Sequence, residues 1–309
     1  MKKRQAILTK NINPNKPKRI FEIDFLRCLP IIVVMLYHLC FDFSSIPGIF
    51  SNYYTQIRNY PMFSDFIGFC TNIFYEPVLM TVIAPLVGGI FIFLSGVSSS
   101  FTRSNLRRGL LMSGAAIGVS LFTWLVSFIL SNFGINEDLF IGWGVIHLMA
   151  FSILLYGLIE LIFEKILKRK GSPLLLLIIG VLILMTGIIL RSGIYLNGEY
   201  IKWPVSSVSG GPIKEFETDP WAFVLSALGY YSNTVDFWPI LPYTGVFFIG
   251  VSLGKAAYKE KKTLLPKLDK PFFKPFCFIG RHTLWFYALH QVVYIIVLAI
   301  VLSAMGFTL

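Results

Sequence analysis

Charge is scarce in this chain: 14% of its 309 residues are Asp, Glu, Lys or Arg, while 55% are hydrophobic. With a mean hydropathy of +0.71, that balance excludes a soluble domain of this length, because too few polar side chains remain to cover its surface. Acidic residues are the scarcer sign, 16 against 27 basic ones. The excess does not point to nucleic acid, since the basic residues are distributed as membrane topology would distribute them. Cysteine is limited to positions 28, 40, 70 and 277, with no CxxC pair and no His/Cys grouping at zinc spacing. All four read as small structural hydrophobes, and no metal is expected. No small-residue cleavage site follows the basic N-terminus, so the first apolar segment is expected to remain as an uncleaved span. Internal repeats and low-complexity tracts are also missing. The expected organisation is a basic cytoplasmic tail over residues 1–19 and a single transmembrane domain over 20–309.

What the chain has is long apolar runs, at about 24–43, 77–99, 109–130, 141–163, 173–190, 237–256 and 282–305. Each approaches the roughly 20 residues that a spanning helix needs, which predicts an all-α polytopic bundle of about seven transmembrane helices. Seven basic residues precede the first run. Arg103, Arg107 and Arg108 follow the second, Lys165 through Lys170 the fourth, and eight more lie between Lys255 and Arg281. The opposite side carries only Arg58, Arg191, Lys202 and Lys214. This asymmetry places the N-terminus in the cytoplasm and the C-terminus outside. Two long external loops, 44–76 and 191–236, carry Tyr53, Tyr54, Tyr60, Trp203, Trp221, Tyr230 and Tyr231, with Trp238 just beyond. These rings can cover a carbohydrate or form an interfacial belt. The short apolar piece 221–231 suits an interfacial or re-entrant segment.

The first run is interrupted by ionisable groups. Asp24, Arg27, His38 and Asp42 follow one another at spacings of three, eleven and four, and so fall within about 60° of arc on one helix face. A charge at mid-bilayer costs roughly 2.5–3.5 kcal/mol on insertion scales, so this stripe must face protein or water. Arg27 and His38 are about 16 Å apart along the helix. Asp42 stands one turn beyond His38, at the spacing that lets a carboxylate orient an imidazole as a general base, though an interfacial position explains it equally well. Asp24 and Arg27 can also pair locally.

Further groups lie elsewhere. Arg103, Arg107 and Arg108 at the end of FIFLSGVSSSFTRSNLRRG suit phosphate binding or simple positive-inside anchoring. His147 in GVIHLMAFS lies at a depth similar to His38. Asp236 opens DFWPILPYTGVFFIG, whose prolines would bend that helix and open a cavity. IGRHTLWFYALHQ places His282 at the inner boundary and His290 about 12 Å deeper in the last span. A lone membrane histidine can serve either structure or chemistry.

RIFEIDFLRCLPIIVVMLYH, with Arg19, Asp24, Arg27 and His38, resembles the first span of the transmembrane acyltransferase superfamily. FIFLSGVSSSF, GVIHLMAFS, DFWPILPYTGVFFIG and IGRHTLWFYALHQ are similar, in that order, to recurring segments of its heparan-alpha-glucosaminide N-acetyltransferase catalytic family, bacterial branch. The resemblance covers residues 19–294. It implies a multi-pass protein of the bacterial plasma membrane that moves an acetyl group from cytoplasmic acetyl-CoA to an envelope sugar, with no metal. Carried over by position, His38 matches the superfamily's catalytic histidine, and Arg103, Arg107 and Arg108 match its basic coenzyme-side motif. Beside these, the residues themselves suggest Asp42 to steady His38, His147 or a backbone amide as oxyanion donor, Arg27 and Arg281 as further coenzyme-binding groups, and Asp24, Asp236 and His290 as further pocket candidates. Transfer can be direct or pass through an acetyl-histidine. No histidine lies between Leu39 and Ile146, the stretch corresponding to the lumenal loop in which lysosomal members place theirs. The rival expectations are a proton- or solute-coupled transporter using the same stripe, and a member without activity.

Overall fold

The computed structural model describes residues 20–132, 139–168, 171–192, 194–196, 199–201, 227 and 236–308. The basic tail and the 221–231 piece, Ala227 apart, lie outside the described residues, as do Trp203, Trp221, Tyr230 and Tyr231. Among those described, seven helices are long and apolar enough to cross a membrane. An apolar run in lipid must pair its backbone groups within itself, and only a helix does so over a single segment.

The first helix, α1 (Phe21–Ile49), has 29 residues, so at about 1.5 Å per residue it exceeds a hydrocarbon core of roughly 30 Å. Next comes α2 (Pro61–Phe74), which is too short to span, and then α3 (Ala84–Ser99) and α4 (Asn105–Asn132). These are followed by α5 (Val145–Leu161), α6 (Pro173–Ser192) and α7 (Ile240–Ala257). A short α8 (Lys274–Arg281) leads into α9 (Thr283–Ala304). A small antiparallel ribbon pairs β1 (Ile194–Leu196) with β2 (Glu199–Ile201) after α6.

The first external stretch contains α2, which packs along α1. One expectation for its rings is corrected. Tyr53 and Tyr60 are not free to cover a sugar. Tyr53 is buried with Ile46, Ile57, Ile67, Leu302 and Phe307, and the Tyr60 hydroxyl donates to the Met305 carbonyl at 3.2 Å. Gln56 Nε2 donates to that carbonyl too, at 2.5 Å, and Asn52 Nδ2 to the Gly306 carbonyl at 2.9 Å. The end of α9 is thus fastened to the segment following α1, and Tyr54 alone of the three rings stays exposed.

The interior is built around α7, which packs on α3 and α6, while α4 lies on α5. Ile92, Leu148, Ile153, Tyr156, Phe247, Phe248 and Val251 are fully buried there. Lipid supplies no hydrophobic drive between helices, so close backbone approach does the work. A Cβ on Gly96 would strike the Phe247 carbonyl oxygen, and one on Gly250 the Phe93 carbonyl oxygen, so α3 and α7 touch reciprocally through glycine. The start of α7 is bent as its prolines suggest. Leu241 precedes Pro242, is disfavoured in the helical region, and has φ −100° and ψ 127°. A cavity lined by arginines, however, is found not beside this bend but among α1, α3, α4, α5 and α9.

Gly250→Leu is expected to force α3 and α7 apart and cost about 1–3 kcal/mol. A lowered melting temperature in detergent would register this, and an unchanged one would contradict the reciprocal contact.

Candidate functional site

A cavity of about 620 Å³ opens at the basic end of the bundle. Three guanidinium groups line it, Arg27 from α1, Arg108 from α4 and Arg281 from α8, with Asp24 the one carboxylate among its lining residues. Gly280 brings α8 directly onto α1, since a Cβ there would run into the Asp24 carbonyl oxygen. That approach sets Arg281 Nε 3.6 Å from Asp24 Oδ2 and 2.8 Å from the Cys277 carbonyl. Arg108 Nη1 donates to Ser99 Oγ at 3.0 Å. Arg27 Nε is buried and has no hydrogen-bond partner among the described residues. Three cations against one anion, with a buried N–H unmet, is an arrangement that a bound anion would relieve.

Arg103 and Arg107 do not join this group. Both are exposed and absent from the cavity lining. Arg107 is one residue from Arg108, which on a helix is a turn of about 100°, enough to point it away.

The other end of the cavity reaches Val145, Ile146 and Tyr287. The Tyr287 ring lies 6.4 Å from that of His38 and 5.7 Å from that of His290. His38 Nδ1 and His290 Nε2 are 2.8 Å apart, with the rings nearly parallel at 22°. His290 Nδ1 lies 2.7 Å from the Tyr287 carbonyl and 3.2 Å from that of Phe286. A carbonyl only accepts, so His290 Nδ1 carries a proton and its Nε2, in the neutral ring, is an acceptor. His38 Nδ1 must then donate. His38 Nε2 is left with its lone pair, the form in which an imidazole accepts a proton.

Asp42 does not fill the role its spacing suggested. Its Oδ1 accepts from Gln291 Nε2, the residue after His290, and the partner of His38 is the imidazole across the interface. The i, i+4 spacing allows a contact but cannot outcompete a facing helix that offers a better-placed group. Asp42 Oδ2 and Gln291 Oε1 are both buried without a partner among the described residues. They form a second polar pair next to the histidines, Asp42 one turn beyond His38 and Gln291 directly after His290.

His147 is not placed as an oxyanion donor. Its Nδ1 accepts the Gly144 N–H at 3.2 Å, so the proton lies on Nε2, which is 2.9 Å from Ser120 Oγ. Ser120 in turn donates to the Ile141 carbonyl at 2.7 Å. Both ring nitrogens are thus spent, Nδ1 on capping α5 and Nε2 on tying it to Ser120 of α4. Asp236 accepts the Val145 N–H at 3.1 Å and the Tyr287 hydroxyl at 2.6 Å. Burial raises its carboxyl above the ordinary range, while these hydrogen bonds pull the other way. Asp236 therefore anchors Tyr287, whose carbonyl in turn holds His290.

Tyr287 and Gln291 escaped the sequence reading. Both flank His290 in YALHQ, where Tyr287 at i−3 shares its helix face, and that spacing was the available signal. Among the described residues no group of three or more His, Cys, Asp or Glu side chains is placed to hold a metal ion.

His147→Ala is expected to cost about 0.5–2 kcal/mol through loss of the α5 cap. Thermal unfolding measures it. A variant as stable as the parent would contradict the capping assignment.

The family model described as heparan-alpha-glucosaminide N-acetyltransferase, catalytic, matches residues 19–292. No curated protein and no solved structure matches the chain.

Proposed function

The chain belongs to the heparan-alpha-glucosaminide N-acetyltransferase catalytic family, and on that footing we propose that it passes acetyl groups from cytoplasmic acetyl-CoA to a sugar amine or hydroxyl on the far side of the membrane. The observation that carries this reading is a single cavity with guanidinium groups at one end and Tyr287, beside the histidine pair, at the other. The charge asymmetry of the loops assigns the basic end to the cytoplasm.

The lining fits the donor substrate. Arg27, Arg108 and Arg281 would hold its phosphates, with the unmet Arg27 N–H an obvious donor, and the acyl arm would run along the apolar wall of Phe91, Met112 and Met149. The Tyr287 end is where the thioester would come to rest. His38 Nε2 takes the proton of the acceptor as its nitrogen or oxygen attacks the acetyl carbonyl. The C–S bond then breaks, and the imidazolium returns a proton to the departing sulfur. During the interval His38 is cationic. His290 supports that charge through the bond to His38 Nδ1, and its own N–H stays fixed on the Tyr287 carbonyl. Asp42 Oδ2 and Gln291 Oε1, one layer outward, are acceptors suited to the N–H or O–H hydrogens of the incoming sugar.

Reconstituted protein incubated with labelled acetyl-CoA and a panel of amino sugars tests this directly. His38→Ala is expected to bind the coenzyme normally and to lose about 10²–10⁴-fold in transfer. Undiminished transfer would overturn the role of His38. Arg27→Ala removes a charge-assisted contact of about 1.5–3 kcal/mol, so KM for acetyl-CoA should rise at least about tenfold with kcat nearly unchanged. If the parent protein binds no coenzyme A, the transporter reading of the stripe takes precedence.

A further inference from the structure

The face of α1 that carries His38 is not the only functional seam on that helix. On an adjacent side α2 runs antiparallel to it, and the contacts define a strict register. Phe43 meets Phe66 with ring centroids 4.9 Å apart, and Tyr37 meets Phe74 at 5.1 Å. Between those two rungs the residues that face one another are Cys40 and Cys70, three residues back from Phe43 and four on from Phe66 along the same seam. The two side chains are close enough to influence each other, and both thiols are free in the structure. Cys70 is 2% exposed and Cys40 partly exposed.

We propose that Cys40 and Cys70 form a disulfide that clamps α2 to α1 two residues beyond His38. The assignment goes beyond the transfer chemistry. It rests on the register of the two helices and on the orientation given by the basic loops, which puts this pair in the outer half of the membrane, toward the side on which disulfides persist. The oxidant is an exterior protein or small molecule carrying its own disulfide. Cys40, the more accessible sulfur, attacks that disulfide as a thiolate and expels one thiol. Cys70 then displaces the second, so two protons and two electrons pass to the oxidant, which leaves as a dithiol. A second cysteine pair provides an internal control. Cys28 on α1 and Cys277 on α8 also neighbour each other, but at the basic, cytoplasmic end, where thiols stay reduced. The covalent link would fasten α2, which is tied to the bundle chiefly through α1.

Membranes are lysed in a thiol-blocking reagent without reductant, and the full chain is purified, denatured and mapped by peptide mass spectrometry. The expected result is blocked Cys28 and Cys277, with the Cys40 and Cys70 peptides joined until reductant is added. Four blocked thiols, or a link between Cys28 and Cys277, would overturn the proposal. In Cys70→Ser the link should vanish and three thiols should react, while any remaining disulfide in that variant would equally refute the pairing. Acetyl transfer by the parent protein is read separately, so failure of one assignment is distinguishable from failure of the other.

Discussion

The hydrogen bond between His38 and His290 is the interaction on which the rest of the site depends. Two imidazoles inside a membrane bundle are costly unless each polar nitrogen is satisfied, and the chain meets that demand with a directional relay. The Tyr287 carbonyl fixes the proton on His290, His290 fixes the proton on His38, and His38 is left with one basic nitrogen. Asp236 and the N-terminus of α5 hold Tyr287 from behind. In the proposed transfer, a backbone carbonyl and a second imidazole take the part that a carboxylate plays in more familiar triads, without placing another charge in lipid.

The same economy of charge explains the division of the bundle into two ends. Three guanidinium groups are gathered where α8 presses onto α1, and one of them is left incompletely bonded. Away from them the polar groups are neutral or acceptor-rich, in the layers His38–His290 and Asp42–Gln291. A donor substrate that is anionic at one end and carries a neutral thioester at the other matches that gradient, and a sugar presenting N–H or O–H hydrogens matches the outer layer. The close contacts of Gly96, Gly250 and Gly280 let side chains from separate helices meet inside so narrow a space.

Much of this was legible beforehand, for identifiable reasons. The seven spans follow from uninterrupted apolar length, and the stripe of Asp24, Arg27, His38 and Asp42 follows from helical periodicity, which reports which residues share a face. Periodicity does not report what faces them. Hence His290 replaced Asp42 as the partner of His38, and Arg108 was not separable from Arg103 and Arg107 until the end of α3 and the start of α4 were placed. His147 resembled His38 in depth, yet its ring is divided between a helix cap that depends on the exact turn before α5 and a bond to Ser120 of α4. The apolar runs do not reveal α2, because a helix of 14 residues is too short to register as a span and still long enough to build a seam.

A structure with coenzyme A bound would examine the arrangement most directly. The phosphates should lie on Arg27, Arg108 and Arg281, and the sulfur should stand beside the free nitrogen of His38. Coenzyme found on the exposed Arg103 and Arg107, or with its sulfur walled off from the histidine pair by Tyr287, would contradict the account.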